Sequence, residues 1–279
     1  MYARIEVKPM AGALGAEVFG VDLSGEMDDQ TFSEIKKAHL DHLVIFFRDQ
    51  QATNQDLARF ARRFGELAIL PPHRQAPGEF PELLVIDKQP ETKLVFGWEW
   101  HSDTTHLEVP PMGSVLAARI LPSVGGDTLF ANQYLAYDTL SAGMKRLLKD
   151  VRAIHSNGRI LSSLEVDDFL PEGQDSAAHA TLSSAHPVVR THPETGKKAL
   201  FVNVLHTERL EDMTIAESNS LLKYLYDHST RPEFTCRFRW QAGSIAFWDN
   251  RCCQHLALAD YPGQRRLMHR VQIRGTKPV

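Results

Sequence analysis

Strand-like segments occur along the whole length of this chain, and they do not alternate regularly with helical patterns. Runs rich in β-branched and aromatic residues lie at Leu43 to Arg48, Ser114 to Leu121 and Leu267 to Ile273. Others lie at Ala3 to Val7, Glu17 to Leu23, Phe234 to Trp240 and Ile245 to Trp248. A parallel α/β fold would place a helix after nearly every strand. The irregular order predicts a mainly β protein with flanking helices, built on an antiparallel sandwich or jelly roll.

Helical patterns are confined to a few places. Apolar spacing predicts helices from about Asp29 to His39 and from Asn132 through Val151. Two pairs have the spacing of a capping box, which marks the start of a helix: Thr53 with Asp56, and Thr214 with Glu217. Between two apolar runs, His192 to Gly196 has the residues of a hairpin turn. No Pro-, Gly- or Ser-rich linker interrupts residues 1–279, so we expect one domain.

One long segment lacks a clear pattern. Ser156 to Ser184 is rich in Ser, Asp, Gly and Ala. Such a composition is typical either of a loop that closes over an active site or of a disordered surface segment. The sequence leaves both interpretations open.

Charge and cysteine content exclude several classes of partner. The net charge of -4 and the pI near 6.3 give no reason to expect binding to nucleic acid or to an anionic membrane. The chain lacks an apolar run long enough to span a membrane and a signal-peptide pattern at its start, so we expect a soluble cytoplasmic protein. Its three cysteines, Cys236, Cys252 and Cys253, are too few and too close together for a disulfide framework.

Two separated segments carry side chains that could bind a metal ion. His101 and Asp103 stand at i and i+2, so an extended backbone projects both to one face, and His255 follows a strand-like run much later. Two imidazoles and one carboxylate leave a face of an octahedral ion open, as a non-haem Fe(II) oxygenase requires. The short H-x-D tripeptide alone indicates little, because a capping Asp beside a surface His would look the same. His106 is a further nearby imidazole that we do not expect to bind the metal.

An arginine at a fixed distance strengthens the oxygenase interpretation. Arg266 lies eleven residues after His255. A dicarboxylic cosubstrate that chelates iron through its 2-oxo acid end leaves its other carboxylate in the protein, where it needs a charged, preferably bidentate partner. Arg266 fits that role, and Thr128 could add a hydroxyl donor. Arg265 should point to the opposite face of the strand, toward solvent or an ion pair.

Six stretches carry a resemblance to a known family: LVIFFRDQ (43–50), RFGEL (63–67), WHSDTT (100–105), LPSVGGDTLF (121–130), HPVVRTHPETGKKALFVN (186–203) and WDNRCCQHLALADYPGQRRLMHRVQIRG (248–275). Over nearly its full length the chain resembles the taurine dioxygenase / 2,4-dichlorophenoxyacetate dioxygenase family of Fe(II)- and 2-oxoglutarate-dependent oxygenases. The resemblance implies a double-stranded β-helix, that is, a jelly roll with a cupin-like core. It also implies O2 as oxidant, conversion of 2-oxoglutarate to succinate and CO2, and a homo-oligomer, either a dimer or a tetramer.

The same resemblance assigns roles to individual residues. It implies that iron is held by His101, Asp103 and His255 and that Thr128 and Arg266 hold 2-oxoglutarate. It further implies that Arg270 binds the acidic group of a small organic acid, which is the substrate.

Four positions depart from the pattern of the taurine enzymes. Leu70 and His73 stand where those enzymes have a His and a Tyr, Gly97 replaces an Asn, and His206 replaces a Phe. Loss of a polar contact at Leu70 favours a larger or less polar substrate than taurine that still carries an anion for Arg270. We therefore expect Leu70, His73 and His206, with Arg270, to contact a sulfonate, a sulfate ester or a carboxylate.

Three alternatives remain open at this point. The enzyme could cleave phenoxyalkanoates or alkyl sulfates, or it could tailor a natural product by hydroxylation or desaturation. A catalytically silent metal-binding scaffold is the non-enzymatic alternative. The presence of Asp103 disfavours halogenation, because the halogenases of this type lack the carboxylate ligand.

Overall fold

The strands and helices are assigned from a computed structural model. It describes residues 2–69, 79–93, 95–162 and 180–279. Two predicted substrate contacts, Leu70 and His73, lie outside the described residues, as do residues 163–179 of the unpatterned segment.

The described chain contains these strands: β1 (Glu6–Pro9), β2 (Ala16–Phe19), β3 (Val44–Phe47), β4 (Leu84–Lys88), β5 (Gly113–Ile120), β6 (Thr128–Asn132), β7 (Arg152–Ser156), β8 (Ser183–Pro187), β9 (Val189–Thr191), β10 (Lys198–Leu200), β11 (Thr207–Leu210), β12 (Thr235–Phe238), β13 (Ile245–Asp249), β14 (Cys253–Ala257) and β15 (Arg266–Ile273). Its helices are α1 (Asp29–His42), α2 (Asn54–Arg62), α3 (Gln133–Asp138), α4 (Ala142–Leu148), α5 (Gly158–Leu161) and α6 (Ile215–Ser229), with a short 3₁₀ helix at Pro232–Phe234.

A large sheet carries core side chains on both of its faces. Its strand order is β1-β2-β3-β13-β5-β15-β4, and only the β2–β3 pair is parallel. Along β13, Ile245 and Phe247 pack into one apolar cluster, whereas Ala246 and Trp248 pack into another. Successive residues of a strand point to opposite faces, so an unbroken apolar run is needed where both faces are covered. This explains why β3 and β13 are buried throughout.

A smaller sheet faces the large one. Its order is β12-β6-β14. Between the two sheets the rings of Phe46 and Phe238 stack with centroids 3.9 Å apart, and Phe130 lies 5.8 Å from Trp248. Each such buried side chain contributes about 1.5–3 kcal/mol through removal of apolar surface from water. The two facing antiparallel sheets form a double-stranded β-helix, which confirms the predicted jelly roll.

Helices α1 and α2 pack on the large sheet, whereas other elements form a separate group. A sheet of order β11-β7-β8 and the β9–β10 hairpin share a third apolar cluster with α3, α4 and α6. The hairpin confirms the turn predicted at His192 to Gly196. The helix starts at Thr53 and Thr214 are also confirmed. Each threonine hydroxyl accepts a hydrogen bond from the N–H of the third helical residue, and the carboxylate of that residue accepts one from the threonine N–H.

The prediction of one helix from Asn132 through Val151 is wrong. Asn132 ends β6, and the helical part is divided into α3 and α4. The Thr139 hydroxyl donates to the carbonyl oxygen of Leu135 at 2.7 Å, and Ser141 caps the start of α4 by accepting from the Met144 N–H. Two residues separated by one position, each bonded to local backbone groups in this way, end one helix and begin the next.

Candidate active site

Three ligand-type side chains meet where the loop before β5 crosses β14. The N–H of His101 donates to the His255 carbonyl at 3.0 Å, and the reverse hydrogen bond measures 2.8 Å. This backbone pair brings segments that are far apart in sequence side by side. Oδ1 of Asp103 then lies 3.8 Å from Nε2 of His101 and 3.8 Å from Nε2 of His255. All three side chains are buried, and their ligand atoms lie within 4.8 Å of one another.

The imidazole of His101 is fixed by its backbone surroundings. Its Nδ1 lies 2.7 Å from the Glu99 carbonyl oxygen, so Nδ1 carries the proton and Nε2 has a free lone pair. Gly97 has a φ of +83°, and a Cβ at this position would lie 3.0 Å from Cε1 of His101. The glycine that replaces the Asn of the taurine enzymes therefore lets the ring lie against the backbone.

Both oxygens of the Asp103 carboxylate have fixed partners. Oδ2 accepts from the Ser114 hydroxyl at 2.7 Å, and Ser114 accepts in turn from Nε2 of Gln272 at 2.9 Å. Oδ1 accepts from Nη1 of Arg270 at 2.8 Å. Burial by itself raises the pKa of Asp103, but the charge of Arg270 and the hydrogen bond from Ser114 outweigh it and hold this pKa well below the usual range.

Burial keeps the two imidazoles neutral. It lowers the pKa of His101 and holds that of His255 well below its usual value. A neutral imidazole can offer its lone pair to a metal ion, whereas an imidazolium cannot. Two neutral imidazoles and one ionised carboxylate are the donor set of a facial triad with open positions. The arrangement could hold Fe(II).

Two connecting loops bring the predicted cosubstrate residues together. Residues 121–127 lead into β6 and Thr128, and residues 258–265 lead into β15 and Arg266. The Gly126 N–H donates to Oδ1 of Asp260 at 2.7 Å. Gly126 has a φ of +72°, and a Cβ there would lie 3.3 Å from Cδ of Arg266. The glycine thus permits the loop to pack directly on the arginine side chain.

Arg266 is a buried cation with unused donors. It is 5% exposed, and its Nε and Nη2 have no hydrogen-bond partner among the described residues. Its guanidinium lies 5.7 Å from the ring of Trp240, whose Nε1 donates to the Thr128 hydroxyl at 2.9 Å. Thr128 accepts from the indole, so its own proton can be donated elsewhere. A buried guanidinium without an acceptor is costly, and a carboxylate would satisfy it.

Arg265 has a different environment from its neighbour. Its guanidinium donates to both carboxylate oxygens of Asp87 on β4, at 3.0 Å and 2.8 Å. The side chain is 42% exposed. The predicted ion pair on the opposite face of the strand is thus present.

The other predicted substrate contacts lie near the triad. The His206 ring is buried, and its centroid lies 6.1 Å from that of His101 and 5.1 Å from that of His106. Arg270 lies over the ring of Phe96 at 5.5 Å, and its Nε has no hydrogen-bond partner in the described chain. His106 is not part of the group of three ligand atoms.

A second buried group also has ligand-type atoms, but its protonation and ion pairs differ from those of the first group. His192, Asp249 and Cys252 also have ligand atoms within 4.8 Å of one another. Asp249 is already bonded to Arg251, which donates to Oδ1 at 2.8 Å and to Oδ2 at 2.6 Å. Burial holds the pKa of the Cys252 thiol well above its usual value, so the sulfur is protonated. This group is a structural ion-pair network at the start of the turn before β14.

Sequence reasoning missed the partners of Asp103. Ser114 lies on β5 and Gln272 lies on β15. Gln272 is two residues beyond Arg270 and shares its face of the strand. That spacing could have placed Gln272 at the site. Ser114 is an isolated serine in an apolar strand, and nothing in the local sequence connects it with the site.

Comparisons with known proteins agree with this geometry. The model of the family described as "Taurine catabolism dioxygenase TauD, TfdA family" matches residues 6–272. The chain belongs to the TauD/TfdA dioxygenase family. It is 36% identical to an alpha-ketoglutarate-dependent sulfate ester dioxygenase of Pseudomonas putida, over 99% of this chain and 91% of that protein.

Two further TauD/TfdA relatives extend the comparison. An alkylsulfatase of Acinetobacter baylyi is 34% identical over 98% of this chain and 86% of its own length. The crystal structure of a taurine dioxygenase from Burkholderia xenovorans superposes with a TM-score of 0.84 at 36% identity, covering 99% of this chain and 93% of the other. Among the described residues of the present chain, no helix is long and apolar enough to cross a membrane.

Proposed function

We propose that this protein is an Fe(II)- and 2-oxoglutarate-dependent dioxygenase that hydroxylates a small organic acid. The observation that carries the proposal is the convergence of three ligand atoms within 4.8 Å beside a buried arginine with unused donors. A catalytically silent scaffold would have no physical reason to keep a buried guanidinium with unpaired donors, such as that of Arg266, in its interior.

The residues present fit both the metal and the cosubstrate. His101, Asp103 and His255 would hold Fe(II), and Thr128 and Arg266 would bind the distal carboxylate of 2-oxoglutarate. When bound, iron supplies O2 activation coupled to decarboxylation of 2-oxoglutarate to succinate and CO2, with hydroxylation of a substrate C–H bond. The protein contributes orientation and exclusion of water, because every one of these side chains is buried.

We propose that Arg270 binds the acidic group of the substrate. Its Nη1 is bonded to Asp103, whereas its buried Nε is free to donate to an anion. The ring of Phe96 lies against the guanidinium, and the uncharged His206 lies near the triad. An anion-binding arginine with apolar and neutral surroundings fits an organic acid whose remainder is weakly polar.

Among small organic acids, we propose that alkyl sulfate esters are the substrates. The support is the similarity to the sulfate ester dioxygenase and the alkylsulfatase. Hydroxylation of the carbon that bears the sulfate oxygen gives a hemiacetal ester, and cleavage of its C–O bond releases an aldehyde and sulfate. Sulfonates, phenoxyalkanoates and carboxylated natural-product intermediates are the alternatives that the experiment must distinguish.

Succinate release by the aerobic enzyme with Fe(II), ascorbate and 2-oxoglutarate tests this proposal. We expect medium-chain alkyl sulfates to stimulate turnover more than taurine, alkyl sulfonates or phenoxypropionates do, with sulfate and aldehyde formed in equal amounts. Arg270→Gln should raise the KM for the stimulating acid about tenfold or more, because a charged hydrogen bond is lost. Preferential stimulation by phenoxypropionates or taurine would contradict the sulfate ester assignment and leave the reaction class standing.

Three properties of the whole molecule also belong to the proposal. We infer that residues 1–279 form one domain, that the protein assembles as a dimer or a tetramer, and that it works in the cytoplasm. The interleaved strand order of the described sheets supports the single domain. Light scattering during size-exclusion chromatography would test the assembly, since a monomer at micromolar concentration would contradict it.

A further inference from the structure

A buried tyrosine lies beside Arg266 in the connection between β14 and β15. Tyr261 is 2% exposed, and its hydroxyl lies close to the Arg266 guanidinium without the geometry of a hydrogen bond. No acceptor or donor with hydrogen-bonding geometry reaches this hydroxyl from the described residues. A buried hydroxyl without a partner costs free energy, so an acceptor atom of a bound ligand would stabilise this position.

The surroundings of Tyr261 contain donors in excess. Nε and Nη2 of Arg266 and the Tyr261 hydroxyl all have unused protons within the described part of the chain. Asp127 is a nearby carboxylate whose Oδ2 accepts from Nε of Arg237 at 2.7 Å, and it makes no hydrogen bond to Nε or Nη2 of Arg266. The cluster therefore lacks an acceptor, and an anion with several lone pairs would complete it.

The loop that carries Tyr261 is bonded to neighbouring segments. Nζ of Lys88 lies 5.1 Å from the ring centroid and donates to the Gln264 carbonyl oxygen at 3.2 Å. Gln264 also accepts from the N–H and the hydroxyl of Ser123, at 2.8 Å and 2.9 Å. These contacts connect residues 258–265 to residues 121–127. The loop that carries Tyr261 and leads to Arg266 is therefore bonded, without a ligand, to the loop that leads to Thr128.

We propose that the Tyr261 hydroxyl donates a hydrogen bond to the distal carboxylate of 2-oxoglutarate, beside the donors of Arg266 and Thr128. This inference rests on the proposed function, because it assigns a further binding residue to the same cosubstrate site. A carboxylate offers about four lone-pair positions, enough for all three side chains. Tyr261 is therefore a binding residue that favours a dicarboxylic 2-oxo acid over a monocarboxylic one.

Anaerobic binding of 2-oxoglutarate to the Mn(II)-loaded full-length protein tests the inference. Isothermal titration calorimetry would compare wild type, Tyr261→Phe and Tyr134→Phe. The matched control removes the hydroxyl of another buried tyrosine, which lies on α3 and is bonded to Thr195 at 3.0 Å. Mn(II) affinity is measured separately for each variant, which gives a readout independent of turnover.

We expect Tyr261→Phe to weaken 2-oxoglutarate binding about tenfold, because a hydrogen bond to a charged group is lost. Tyr134→Phe should leave that affinity within twofold of wild type, and both variants should bind Mn(II) normally. An unchanged affinity in Tyr261→Phe would overturn the inference, and so would an equal loss of Mn(II) affinity, which would indicate a purely structural role. Failure of the wild-type protein to bind 2-oxoglutarate would instead refute the proposed function.

Discussion

The hydroxyl of Ser114 donates a 2.7 Å hydrogen bond to Oδ2 of Asp103, while Oδ1 of the same carboxylate faces the imidazoles of His101 and His255. Oδ2 is thus held by Ser114, whereas Oδ1, which also accepts from Nη1 of Arg270 at 2.8 Å, is directed to the place where a metal would bind. Gln272 donates to Ser114 and fixes the direction of its proton. Ser114 is therefore a positioning residue that favours monodentate binding by Asp103.

Removal of this hydroxyl should weaken metal binding. We expect Ser114→Ala to lower Mn(II) affinity about tenfold, because loss of a partner of a metal ligand typically costs 10–100-fold. Ser220→Ala is the matched control, since that hydroxyl donates to a helix carbonyl on the exposed side of α6. Anaerobic titration followed by electron paramagnetic resonance measures the affinity. Equal Mn(II) affinity in Ser114→Ala and wild type would show that Ser114 only fills space.

The adjacent arginines allow a matched pair of substitutions at the cosubstrate site. Arg266→Lys keeps the charge but loses the fork that binds a carboxylate through two parallel hydrogen bonds, so we expect 2-oxoglutarate binding to weaken about tenfold or more. Arg265→Lys should change it less than twofold, because that side chain pairs with Asp87 on the other face. Calorimetry on the anaerobic Mn(II) protein checks both. A larger effect from Arg265 than from Arg266 would reverse the assignment of the two side chains.

The stability of the folded protein should be sensitive to acid because of a buried histidine outside the candidate active site. The His39 ring stacks on Phe247 at 3.9 Å, and burial lowers the pKa of His39 from 6.5 to about 4. The folded state binds fewer protons than the unfolded state between these values. Stability from neutral His39 is therefore present above pH 6.5 and is lost as the pH falls toward 4, by about 2 kcal/mol at pH 5.

Replacement of His39 by phenylalanine keeps the ring and removes the titration. The free energy of unfolding of His39→Phe should fall less steeply than that of wild type between pH 6.5 and pH 5. The two slopes against pH should differ by at most the slope that corresponds to one bound proton. Urea denaturation at a series of pH values measures this. Identical slopes in both proteins would mean that His39 titrates normally in the folded state.

The sequence predicted those features that depend on local pattern or on a specific set of residues. The apolar runs of β3 and β13 identified strands, and Thr53 and Thr214 identified helix starts, because each signal is contained within a few residues. The pairing of His101 with His255 and the location of Ser114 behind Asp103 depend on strand register across the fold, which no local pattern encodes. The break between α3 and α4 was missed because it depends on hydrogen bonds from the side chains of Thr139 and Ser141 to nearby backbone groups, which apolar spacing does not reveal.

The most direct test of the account is the anaerobic absorption spectrum of the apoprotein after addition of Fe(II) and 2-oxoglutarate. We predict the weak violet absorption of the Fe(II)–2-oxoglutarate chelate in wild type and its loss in Asp103→Ala, with Ser220→Ala unchanged. This result would require that His101, Asp103 and His255 hold the metal while leaving open positions for the cosubstrate. Absence of the absorption in wild type, or its persistence at full strength in Asp103→Ala, would contradict the account.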